Sequence, residues 1–87
     1  MLTQKKQHNV IKVYYSSITN PEVMAFQTLV RNYTQSLKKR NIHIRYTKNI
    51  KIPFKMELYD INKKKIYETT DYRRLKFVLE RVDFLHN

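Results

Sequence analysis

The chain contains no cysteine and no glycine, and only 7 of its 87 residues are acidic. Each scarcity removes a class of function. Without cysteine there is no disulfide, no thiolate metal site and no cysteine nucleophile. Without glycine there is no Gly-rich phosphate loop, and enzyme loops often need the close backbone approach that glycine permits. No apolar run approaches membrane-spanning length. The opening segment MLTQKKQHN is too short and too polar to read as a secretory signal. Chain length predicts one domain near the lower limit for a core without staples, with residues 1–9 as a basic tail and residues 10–87 as the folded unit.

What is present is positive charge. Eighteen Lys and Arg residues against seven Asp and Glu give a formal net charge of +11. Its distribution is uneven. From Val23 to Met56 there is no acidic residue, while Arg31, Lys38, Lys39, Arg40, Arg45, Lys48, Lys51 and Lys55 supply eight cations. Such a field attracts nucleic acid or an acidic surface. The bland alternative is a solvated surface, or the Lys, Asn, Ile and Tyr bias of an AT-rich genome.

The stretch NPEVMAFQTLVRNYTQSLKKR, residues 20–40, predicts one long amphipathic helix. Asn20 can cap it and Pro21 suits the first helical position. Glu22 at its start and Lys38, Lys39 and Arg40 at its end complement the helix dipole. Val23, Phe26, Val30, Tyr33 and Leu37 form its apolar stripe, with Leu29 at the edge. Before it, VIKVYY (10–15) reads as a strand with Ile11, Val13 and Tyr15 on one side and Lys12 and Tyr14 on the other. After it, NIHIRYT alternates Ile42, Ile44 and Tyr46 inward with His43, Arg45 and Thr47 outward. Strand, helix, strand predicts parallel pairing through a right-handed crossover.

Beyond Pro53, Phe54, Met56 and Leu58 alternate with Lys55, Glu57 and Tyr59 in a third strand. A turn at Asp60–Asn62 leads to a short fourth strand over 63–68, making a hairpin. A last helix starts at Thr70 or Asp71 and runs to Leu85, with Leu75, Val78, Leu79, Val82 and Leu85 facing the core. The pattern is α/β, ordered β-α-β-β-β-α: a four-stranded mixed sheet with two helices, on one face or on both. Phe77 and Phe84 lie opposite the core stripe, beside Arg73, Arg81 and Glu80. They are either covered by the first helix or the tail, or form a docking surface for a protein neighbour.

Catalytic and metal chemistry find little support. His8, His43 and His86 are scattered, and no histidine stands near Ser16, Ser17, Thr19 or Thr28 to activate a hydroxyl. Glu57 and Glu80 read as solvated partners of Lys55 and Arg81. Cations interleaved with tyrosine are the stronger signal: Lys12–Val13–Tyr14, Arg31–Asn32–Tyr33, Arg45–Tyr46 and Tyr72–Arg73–Arg74. Tyr14 and Tyr59 have the better claim to exposure, and Tyr33 and Tyr46 to the core. No KH glycine loop, zinc finger or ribonucleoprotein strand motif is present, so the charge points to phosphate contact without sequence readout.

The order strand, long helix, strand, then Pro53 before a hairpin and a final helix resembles the thioredoxin fold. Ser16–Ser17–Ile18–Thr19 occupies the redox position without a thiol, and Pro53 stands where that fold has a cis-proline. The helix between the second and third strands is missing, because residues 41–53 leave no room for it. This shortened, cysteine-free layout, over Val10 to Leu85, resembles the small thioredoxin-like proteins of the mitochondrial large ribosomal subunit. The resemblance implies a non-catalytic structural protein of the mitochondrial matrix, touching rRNA and neighbouring ribosomal proteins, without cofactor, small-molecule substrate or membrane insertion. Two other classes fit the layout and the charge: a non-catalytic accessory subunit of respiratory complex I, and a small phage or bacterial DNA-binding protein.

Overall fold

A computed structural model describes residues 8–85 of the chain, with the side chains of 84 and 85 left out. In chain order its elements are β1 (Asn9–Tyr15), α1 (Pro21–Asn32), α2 (Thr34–Lys39), β2 (Ile42–Lys48), β3 (Phe54–Tyr59), β4 (Lys65–Thr69), a 3-10 turn (Tyr72–Arg74) and α3 (Leu75–Leu85). The strands form one sheet in the order β2-β1-β3-β4. β2 runs parallel to β1, from Asn9 opposite Ile42 to Tyr15 opposite Lys48. β3 is antiparallel to β1 and β4 antiparallel to β3, with a register shift at Leu58 and Tyr59. This is the truncated thioredoxin-like topology expected of the sequence, a mixed sheet with helical segments after β1 and after β4.

Strand alternation decides where the helices go. Ile11 and Val13 of β1 register with Leu58 and Met56 of β3, so their side chains share one face of the sheet. These four residues are fully buried in one cluster with Val23 and Phe26 of α1, Leu37 of α2, and Leu75, Val78, Leu79 and Val82 of α3. Both helical segments therefore cover the same face, a point the sequence leaves open. Burying each such side chain stabilises the fold by about 1.5–3 kcal/mol, so the cluster is what holds the two layers together.

The helix over 20–40 is interrupted at Tyr33, a correction to the single helix read from the sequence. Asn20 caps α1 as expected, its Oδ1 accepting from the Glu22 N–H at 2.9 Å. Its Nδ2 also donates to the Pro53 carbonyl at 3.2 Å, tying the start of α1 to the start of β3. At the break, the Thr34 hydroxyl lies 3.1 Å from the Val30 carbonyl and 3.0 Å from that of Arg31. A hydroxyl placed this way competes with the backbone ladder and bends helices. Tyr33 leaves the helical basin, at φ −105° and ψ 16°. Asn32, Tyr33 and Thr34 are also indifferent helix formers, so little resists the bend.

Further differences are local. β1 begins at Asn9, a buried residue, one position before the strand start read from the sequence; of the basic tail, positions 1–7 lie outside the described residues. β4 lies one to two residues later than expected. Among the described residues no peptide bond is cis, so Pro53 does not reproduce the cis-proline of the thioredoxin pattern. Tyr46 packs edge-on against Phe26 and Tyr15 but remains 42% exposed, because β2 is an edge strand and no helix overhangs it fully. Glu57 is buried, not solvated.

Candidate nucleic-acid interface

Both helical segments lie on one face, and among the described residues the other face of the sheet carries no helix. Its residues follow from strand register. One row across the sheet is Thr47, Tyr14 and Lys55; the next is Arg45, Lys12, Glu57 and Glu68; the third is His43, Val10, Tyr59 and Lys65. Four cations, Lys12, Arg45, Lys55 and Lys65, thus share a surface with two carboxylates and two tyrosines.

Glu57 is the hub of this surface. The Tyr59 hydroxyl donates to its Oε1 at 2.8 Å. The Lys55 ammonium stands 3.3 Å and the Lys65 ammonium 3.5 Å from its Oε2. Burial alone would push the Glu57 carboxyl up, but the Tyr59 hydrogen bond and the two lysines outweigh it and hold the group below its ordinary value. The Tyr59 phenol is raised by the same hydrogen bond and by burial. Glu57 also faces Glu68 across the β3–β4 ladder, a like-charge pair that would repel. Lys65 resolves it, lying 2.7 Å from Glu68 as well.

The tyrosine rings each hold a cation. The Lys12 ammonium is 4.6 Å from the Tyr59 ring centre, and that of Lys55 is 5.3 Å from the Tyr14 ring centre. At the N-terminal edge of the face the rings of His8 and His43 stack at 3.8 Å.

Seven of the eight cations read from the sequence as phosphate contacts fall in three places. Arg45 and Lys55 lie on the open face. Lys48 and Lys51 lie where β2 runs into the loop before β3, both exposed, with Asn49 donating to the Tyr15 carbonyl at 2.7 Å. Arg31, Lys38 and Lys39 are exposed on the helical layer, across the sheet from Arg45. Arg40 is committed elsewhere, to Asp83 of α3 at 2.6 Å. The fold therefore does not gather the acid-free window into one patch. Conversely, Lys12, Tyr14 and Tyr59 join the open face although Lys12 precedes that window. The alternation in VIKVYY and FKMELY carries the signal that places them there.

The suspected protein-docking residues lie along the 3-10 turn and α3. Phe77 is 39% exposed, its ring 5.1 Å from that of Tyr67 on β4. Arg73 pairs with Asp71 at 3.0 Å and stays largely exposed, and Arg81 is exposed. The Phe84 side chain lies outside the described residues.

Among the described residues no group of three or more His, Cys, Asp or Glu side chains is placed to hold a metal ion. No helix among the described residues is long and apolar enough to cross a membrane. Comparison with protein-family models, with curated proteins and with solved structures gives no match for this chain.

Proposed function

We propose that this protein is a non-catalytic RNA-binding domain that serves as a structural constituent of a ribonucleoprotein. Its most specific form is a protein of the mitochondrial large ribosomal subunit, working in the matrix against rRNA and neighbouring ribosomal proteins. One observation carries the RNA reading: a helix-free sheet face on which Lys12 and Arg45 stand opposite one another beside two tyrosines. The exposed cations on the helical layer and at the β2–β3 loop extend basic charge around the molecule, as suits a small protein wedged among phosphates. The layout and the missing redox thiol support the ribosomal form. On this reading Phe77, Arg73 and Arg81 face a neighbouring protein.

Sedimentation tests it. The tagged chain, expressed in cells of its source, should travel with the large subunit of mitochondrial ribosomes through a high-salt gradient and leave that fraction after ribonuclease treatment. Travel with a membrane complex, or with DNA, would overturn the proposal and favour the respiratory or DNA-binding alternative.

A further inference from the structure

We infer that the open sheet face holds an unpaired stretch of RNA, with phosphates on Lys12 and Arg45 and bases on Tyr14 and Tyr59. The inference rests on the RNA reading above and adds where on the molecule, and in what form, the RNA is held.

Lys12 and Arg45 are directly opposite in the β1–β2 ladder, on the face that no helix among the described residues covers. Like charges so placed repel one another. Among the described residues no carboxylate pairs with either. Glu57, opposite Lys12 on its other side, is already engaged by Tyr59, Lys55 and Lys65. Among the described residues this cationic pair thus has no ion-pair partner of its own, and a phosphate group supplies one.

The tyrosines decide between paired and unpaired RNA. Tyr14 follows Lys12 as the next outward residue of β1, and Tyr59 follows Glu57 on β3. Both rings are half-buried and so held in place, and each carries an ammonium over its π-face. A base can take that position and stack, whatever its identity, while the displaced lysine remains beside its phosphate. A duplex keeps its bases within its own stack and gives a ring on a flat sheet nothing to hold. Along the strands the backbone positions of the two residues are about 13 Å apart, four residues of strand rise, while both side chains meet the Lys55–Glu57 pair between them. The helical layer, with Arg31, Lys38 and Lys39, offers cations without such rings and suits a duplex backbone better.

Fluorescence anisotropy with the full chain distinguishes these forms, using a short labelled oligouridine and the same strand annealed to oligoadenine, titrated from low to high salt. The single strand should bind more tightly than the duplex. Tyr14→Leu should weaken single-strand binding by roughly 5- to 100-fold while leaving the salt slope unchanged. Lys12→Gln with Arg45→Gln should lower that slope by about 1.4, two phosphate contacts at about 0.7 each. Lys38→Gln with Lys39→Gln should weaken the duplex and spare the single strand. Circular dichroism identifies any variant that fails to fold, and Arg45→Gln, at an exposed site on an edge strand, keeps the test usable. A preference for duplex, or sheet-face variants that bind as the parent does, would overturn the inference while leaving RNA binding intact. Failure of the parent to bind either RNA would instead overturn the RNA reading beneath it.

Discussion

Arg40 and Asp83 form a two-point ion pair across 43 residues of chain, Nε to Oδ1 at 2.6 Å and Nη2 to Oδ2 at 2.8 Å. The pair joins the end of α2 to α3, and Arg40 also donates to the Ser36 carbonyl at 3.2 Å. Its side chains are 25% and 45% exposed, so solvent screens the attraction. Exposed pairs contribute about 0.2–1 kcal/mol, and the bidentate geometry places this one toward the upper end.

Arg40→Ala should therefore lower the unfolding free energy in urea by about 0.5–1 kcal/mol, and Asp83→Ala by a similar amount. The double variant should be little worse than either single one, which is the signature of a shared interaction. Lys38→Glu and Lys39→Glu, both exposed, should leave the melting temperature unchanged and weaken RNA binding in a salt-dependent way. Equal loss of stability in Arg40→Ala and Lys38→Glu would refute the structural role of the pair.

Glu57 predicts an acid-sensitive fold. Its carboxyl is held below the ordinary value of 4.5, so the native state favours the charged form more than the unfolded chain does. The resulting stability is fully present above the unfolded value and is lost as pH falls through the lower, folded one. Urea unfolding followed from neutral pH downward should show this decline. Glu57→Gln should flatten it and, by weakening bonds to a charged acceptor, cost about 1–3 kcal/mol at neutral pH. An unchanged acid limb in Glu57→Gln would mean that other carboxylates set the pH dependence.

Much of this was legible in the sequence because period-2 alternation is a strong signal. FKMELY fixes Phe54, Met56 and Leu58 inward, and the structure places β3 over those same residues. The order β-α-β-β-β-α and most of the core followed in the same way. The break at Tyr33 did not, since it depends on a hydroxyl at Thr34 reaching back to particular carbonyls. Nor did the fate of Arg40, because its partner lies in a helix that only the tertiary fold brings near. Glu57 alternates outward correctly, yet is buried by long neighbouring side chains that periodicity does not count. The open face escaped for a related reason. It is assembled from four strands, whereas the acid-free window is a linear feature that the fold divides among both layers.

The absence of glycine leaves a mark that can be measured. Lys63 has φ of 66° and Asn41 of 55°, in the left-handed region. Asn41 sits just past α2, a common place for that conformation, and asparagine tolerates it. Lysine in the β3–β4 turn does so at greater cost, although Asp60 braces the turn by accepting from the Asn62 and Lys64 N–H groups, both at 2.9 Å. Lys63→Gly should raise the unfolding free energy by about 0.5–1 kcal/mol, net of the added freedom of the unfolded chain. Asn41→Gly should gain less, and Lys63→Val should destabilise. A loss of stability in Lys63→Gly would mean that the lysine side chain contributes more than its backbone costs.

The two sides of α3 should respond in opposite ways to substitution. Leu75 and Val82 are essentially unexposed and sit in the cluster shared with α1 and the sheet. Leu75→Ala alone should cost roughly 2–5 kcal/mol through lost burial and the cavity left behind. Adding Val82→Ala brings a domain of this size close to unfolding at room temperature, since small domains hold only about 5–15 kcal/mol in total. Phe77 is a different case. Its ring leans on Tyr67 at the β4 edge but is 39% exposed, so Phe77→Ser should cost only about 1–2 kcal/mol. If Phe77 meets a neighbouring protein, the same variant should lose its place in the large-subunit fraction of the gradient while still melting cooperatively as an isolated chain. Thermal unfolding of both variants, run beside that sedimentation, separates the roles. A Phe77→Ser protein that unfolds as readily as Leu75→Ala would make Phe77 a core residue and remove α3 from the interface.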